Sequence, residues 1–207
     1  FGRGGIHGAV EKYHGVGLIV HVDVQSMYPS IMIRYNMLSR SVSKPELFTE
    51  IYTKRLRLKA EGKKKEQAPY KIILNSMFGI SGASFSEAYD PRRNREVCIN
   101  GQLLTLDLIE HLEPRCRLIQ SNTDGLIIEI PDTDSAWDKI DDICYEWEQR
   151  TGLKLSFDVI KEIYQKDVNN YLFIQDDGKI VTTGKYLKDK TSLDNDLPIV
   201  TKAVREY

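Results

Sequence analysis

Two short apolar runs, Cys116–Gln120 and Leu126–Ile130, are separated by Ser121-Asn122-Thr123-Asp124-Gly125. Runs of this length around a polar, Gly-containing tip read as a β-hairpin. A second hairpin signal follows, where Tyr171–Gln175 and Lys179–Thr183 flank Asp176-Asp177-Gly178. Strands joined so tightly pair antiparallel. Two more strands are expected, Lys154–Ile160 and Val16–Asp23, the latter rich in β-branched residues. Helical patterns lie between them. Glu96–Leu112 carries a wide apolar face of Leu103, Leu104, Leu106, Leu108, Ile109 and Leu112. Pro45–Ala60 and Gln67–Phe78 read as a helical hairpin, with Gly79 just past its end. A helix opens at Tyr28-Pro29-Ser30, with Ile31, Met32, Tyr35 and Leu38 facing inward, and an acidic one spans Ser135–Thr151. Phe1–Gly8 and Ser81–Arg95 read as irregular. Hairpins mixed with long helices define an α+β chain built on an antiparallel sheet.

At 207 residues and 41% hydrophobic content, such a chain can bury a proper core. Uncharged apolar runs such as Gly15–Val22 are too short to cross a membrane, and no secretory signal opens the chain. The absence of an initiator Met is read as a fragment, a processed product or a trimmed chain. Cys98, Cys116 and Cys144 are odd in number and widely spaced, which fits structural thiols in a reducing compartment better than disulfides or a zinc site. His7, His14, His21 and His111 have no metal-like companions and are read as non-ligands.

Net charge is −1, but it is unevenly spread. Eight basic residues lie between Lys54 and Lys71 against Glu61 and Glu66, a local charge of +6. Such a cluster is either a solvated helix face or a polyanion site. Arg55 and Lys59 share one helix face at i, i+4; Lys71, Asn75 and Phe78 share another at i, i+4 and i+7. Together they could grip a triphosphate, Arg through its fork and Lys as a point charge. Asp23 ends an apolar strand and Asp124 sits at a hairpin tip. Either could be a plain turn residue. As a pair from separate strands, they could hold two divalent ions for in-line attack on phosphorus. Magnesium suits such a site because it takes few protein oxygens and leaves the rest to phosphates and water.

Four segments resemble the motifs of family B DNA polymerases, in that family's order. Asp23-Val24-Gln25-Ser26-Met27-Tyr28-Pro29-Ser30 is similar to motif A, D-x-x-S-L-Y-P-S. Lys71-Ile72-Ile73-Leu74-Asn75-Ser76-Met77-Phe78-Gly79 is similar to motif B, K-x-x-x-N-S-x-Y-G. Asn122-Thr123-Asp124-Gly125 resembles motif C, D-T-D-S, and Gly4-Gly5 the Y-x-G-G element. The match spans roughly Gly4–Tyr186, and the short fingers and the N-T-D-G form resemble phage or plasmid-type members.

The resemblance implies a polymerase palm: a twisted antiparallel sheet backed by helices, over 1–44 and 80–187. A two-helix fingers insertion would span 45–79, and 188–207 would begin a thumb or tail. Asp23 and Asp124 would ligate two magnesium ions, or manganese in their place, with help from the Val24 carbonyl. Ser26 and Met27 would offer backbone amides to the triphosphate. Tyr28 would exclude a 2′-hydroxyl. Arg55, Lys59 and Lys71 would hold the triphosphate, with Lys71 protonating the departing pyrophosphate. Asn75 would support the base-pair pocket, and Gly4 and Gly5 would let the template approach. Phe78, in place of Tyr, and Tyr171, in a partial K-K-R-Y match, would contact DNA.

The implied partners are primer–template DNA and deoxynucleoside triphosphates. Exonuclease and thumb regions would lie in the same or a separate chain. A phage protein of this kind would work in the cytoplasm of its bacterial host. Asn122 stands where the family has its first motif C Asp; it offers a carbonyl oxygen without charge. That substitution keeps a second reading open, a palm-like module that binds primer–template or a replication protein without catalysis. A primase-like or reverse-transcriptase-like enzyme is the third; Tyr28 and the N-T-D-G tip argue against it.

Overall fold

The computed structural model of the protein describes residues 4–184, 187, 199, 202 and 203. Seven strands form one antiparallel sheet in the order β1-β3-β4-β2-β5-β6-β7. They are β1 (His7–Ala9), β2 (Tyr13–Val24), β3 (Arg117–Asn122), β4 (Gly125–Glu129), β5 (Leu155–Asp167), β6 (Asn170–Gln175) and β7 (Ile180–Thr183). Among the described residues, five helical elements accompany them: α1 (Met27–Arg34), α2 (Pro45–Ala60), α3 (Lys64–Ser81), α4 (Pro91–Leu112) and α5 (Asp134–Thr151). The α+β class with an antiparallel sheet backed by helices is what the structure shows.

The central strand β2 sorts its side chains by alternation. Val20, Val22 and Val24 join the main core with Met27 and Ile31 of α1, Leu108 and Leu112 of α4, and Ile140 and Trp147 of α5. Ile19 faces the other way, into a smaller cluster with Ile119, Ile127, Ile160, Ile163 and Phe173. That second face has no helix layer in its core cluster, and His21 and Asp23 follow Ile19 on it at period two. Register shifts occur at Val16/Ile19, Leu118/Gln120, Ile160/Glu162 and Gln165/Asp167. Bulges of this kind bend strands and increase twist, so the sheet curls.

Several boundaries differ from the sequence reading. The stretch expected to be loop through Gly8 contains β1, held because His7 to Ala9 pair with Asn122 to Gln120. β5 continues seven residues beyond Ile160, because β6 supplies a partner along that length. α1 ends at Arg34, so Leu38 lies beyond it. α3 starts at Lys64 rather than Gln67 and does not stop at Gly79; it runs to Ser81, with Gly82 as its C-cap. The Phe78 carbonyl there is taken by Ser81 Oγ at 2.7 Å and Asn94 Nδ2 at 2.8 Å, side-chain donors that a search for glycine cannot see. The supposedly irregular Ser81–Arg95 already contains the start of α4, where Asp90 caps the Arg93 amide and Pro91 opens the first turn. The segment 188–207, expected to begin a thumb or tail, lies outside the described residues except 199, 202 and 203.

Candidate active site

Strand pairing brings the two aspartates together. Asp23 sits opposite Gly125 across β2 and β4, and the Val24 amide donates to the Asp124 carbonyl at 2.8 Å. The turn between β3 and β4 puts Thr123 in the left-handed region, at φ 60°. Its amide donates to the Ile6 carbonyl at 3.1 Å. Gly5 is buried against this turn, and a Cβ there would meet Thr123 Cα at 2.6 Å. The missing side chain at position 5 is thus required by the protein's own hairpin.

A cleft of about 220 Å³ opens over the pair, lined by His21, Asp23, Asn122, Asp124, Gly125 and Tyr171, among others. Burial pushes the Asp23 carboxyl up to about 7, with the Asp124 charge adding to it and Lys59 and Lys71 opposing. Asp124 is raised too, again by burial, with His21 and Lys71 opposing. A cation beside two such carboxylates would favour their ionised forms. Among the described residues, no group of three or more His, Cys, Asp or Glu could hold a metal alone. Two carboxylates without further protein cage fit magnesium, whose remaining positions go to phosphate and water oxygens. Asn122 is half-buried at the same cleft and pairs with Gly125.

The proposed nucleotide side lies on α1, α2 and α3. Ser26 adopts φ 53°, ψ 49° just before α1, and Met27 is buried in the core. Arg55 does not belong to an exposed stripe. It is 7% exposed, with its fork donating to Ser26 Oγ and to Gln67 Oε1, the latter at 3.1 Å. Burial lowers its pKa. Lys59 and Lys71 are exposed, and their charges reach Asp23. Asn75 is exposed on α3. Tyr28 stacks on Phe78 at 4.1 Å between ring centroids and donates its hydroxyl to the Gly4 carbonyl. Burial raises that hydroxyl to about 12, so it stays a donor.

His21 is the residue that sequence reasoning passed over. It was judged by its lack of metal-like neighbours in the chain. Its position two residues before Asp23 on a strand was the usable signal, since period two puts both on one face.

No protein-family model matches the sequence, and no curated protein does. Among solved structures, the family B DNA polymerase from the hyperthermophilic archaeon Pyrobaculum calidifontis is similar, with a TM-score of 0.64 over 96% of this chain. The chain has a family B polymerase-like fold. Identity is 19%, and the chain spans about a third (33%) of that structure's length. The neighbour is archaeal, so the likeness supports the polymerase-like fold and not the narrower phage or plasmid type.

Proposed function

We propose that the chain is the catalytic core of a DNA-templated DNA polymerase that adds deoxynucleotides to a primer 3′-hydroxyl. The observation that carries this reading is the Asp23–Asp124 pair. Two carboxylates fixed on adjacent strand ends, both pushed toward neutrality, are faced by Lys59 and Lys71 from a helical hairpin. Magnesium or manganese, when bound, supplies the charge neutralisation that in-line displacement at phosphorus requires. Asp23 and Asp124 would hold the two ions, with the Val24 carbonyl. Lys59 and Lys71 would receive the triphosphate, and Lys71 would pass a proton to pyrophosphate. Tyr28, fixed between Phe78 and Gly4, would form a wall against a 2′-hydroxyl. Arg55 would act from behind Ser26, holding the loop whose amides meet the phosphates. The work of the protein is positioning and charge rather than covalent chemistry.

The short helical hairpin and the N-T-D-G tip support a phage-type replication protein acting in a bacterial host. Exonuclease and thumb functions would come from elsewhere in the same or a separate chain. Asn122 supports a second reading, a palm-like module that binds primer–template without catalysis, because it brings no charge to the cleft. Primer extension on a DNA template with magnesium, comparing the chain with Asp124→Ala, separates the two. Extension lost in the variant supports the polymerase. Equal extension by both would sink the active-site assignment, and primer–template binding without extension by either would favour the module.

A further inference from the structure

The cleft over the two aspartates extends away from the helical hairpin. Lys59 and Lys71 approach from α2 and α3, on the side of Ser26 and α1. On the opposite side, β2 runs back from Asp23 to His21, and the lining continues to Tyr171 on β6. In-line displacement puts the attacking oxygen opposite the leaving group. If the triphosphate enters from the lysines, the strand end that attacks lies over His21.

The imidazole is built into this position. His21 pairs with Ile127 on β4 and Asp158 on β5. Its Nδ1 faces Asp158 Oδ2 at 3.8 Å, and its ring lies 6.2 Å from that of Phe173. Nε2 lies on the side of Gly125, at the turn between β3 and β4. A Cβ on residue 125 would lie 2.7 Å from His21 Nε2 and 3.7 Å from Asp23 Oδ1. His21 Nε2 and Asp23 therefore border one gap, and only the absence of a side chain at Gly125 keeps it open. In the tautomer that carries its proton on Nδ1, the nitrogen on the Asp158 side, Nε2 has a lone pair and accepts.

Resting on the polymerase reading, we propose that His21 is a primer-positioning residue. Its Nε2 accepts a hydrogen bond from the 3′-hydroxyl of the primer's terminal nucleotide, and glycine at 125 keeps that nitrogen accessible. His21 and Gly125 then form one unit: a side chain at 125 displaces the ring.

The test is equilibrium binding, followed by fluorescence anisotropy at fixed salt without divalent metal. Two primer–templates are compared, one ending in a 3′-hydroxyl and one in a 3′-deoxy sugar. The parent chain should prefer the hydroxyl end by about five- to tenfold, the size of one net hydrogen bond. His21→Ala should abolish that preference while leaving affinity for the deoxy end unchanged. His21→Gln, which keeps an acceptor, should retain part of it. Gly125→Ala should lower the preference, and should cost nothing further when combined with His21→Ala. Equal weakening of both ends by His21→Ala, or additive losses, overturns the proposal. If the parent extends primers yet binds both ends equally, His21 has no such role while the polymerase reading stands. If the parent binds neither DNA, both fall together. Circular dichroism of each variant separates lost contact from lost fold.

Discussion

The sheet and the helical hairpin carry opposite charge in opposite ways. Asp23 and Asp124 sit on backbone fixed by strand pairing and by the Val24–Asp124 hydrogen bond. Their position is paid for in the folded state: burial raises both carboxyls, and the Asp124 charge raises Asp23 further. Lys59 and Lys71 stand on exposed helix surface, and the hairpin buries few side chains, Phe48, Arg55 and Leu58 on α2 and Leu74 and Ser81 on α3. Four-carbon stems let ammonium groups follow a moving ligand. The negative half of the site is thus pre-set by the fold, and the positive half is adaptable.

The largest test of that contrast removes charge from each half. Asp23→Asn or Asp124→Asn should cut the extension rate by about a thousandfold, as loss of a preorganised electrostatic group does. Thermal stability should hold or rise, since a buried repulsion is removed. A fall of several degrees would make these carboxylates structural. Lys71→Ala should cost about ten- to a hundredfold in kcat/KM for the nucleotide, the scale of a lost charged hydrogen bond, with the fold retained by circular dichroism. Lys59→Ala should cost less, because Lys71 alone acts on both aspartates. Equal losses from the two lysines would contradict the asymmetry.

Arg55 is where the contrast breaks, and its burial turns it into a fastening. Arg55→Ala leaves Ser26 Oγ and Gln67 Oε1 without their donor. Stability should drop by about 1–3 kcal/mol, read from the urea midpoint. An unmoved midpoint would return Arg55 to the adaptable half.

What the sequence made legible follows from range along the chain. Asp23 and Asp124 were singled out because strand ends and hairpin tips are local patterns and the segments around them resemble motifs A and C. The antiparallel sheet was found for the same reason. Gly79 was misread because the Phe78 carbonyl is satisfied by Asn94, sixteen residues on. The burial of Arg55 was not legible because its partner Ser26 lies on another element. β1 was read as loop because its strand partner begins more than a hundred residues later. The surroundings of His21 were not legible because Asp158 and Gly125 become its neighbours only through the sheet. Local signals singled out Asp23 and Asp124; the groups that surround them depend on contacts between distant segments.

The smallest predicted effect concerns pH. Asp23 ionises near 3.8 ordinarily and near 7 in the folded chain. Between those values the folded chain keeps a proton that the unfolded chain has released, so the unfolded state binds fewer protons. Its contribution to stability is therefore fully present below about pH 4 and lost as pH rises through 7. Asp124 acts in the same direction. Asp90 acts oppositely and lower, because its bond to Arg40 holds it below the usual carboxylate range; that contribution is lost on acidification. The metal-free chain should lose a few degrees of melting temperature between pH 5 and 7.5, on the scale expected of about 1 kcal/mol. Asp23→Asn should flatten the slope. Lys59→Ala should steepen it, since that lysine offsets the raised pKa. Magnesium should recover stability at pH 7.5 more than at pH 5, because it binds the ionised pair. A slope identical in the parent and Asp23→Asn would show that the carboxylate pair is not held under strain by the sheet.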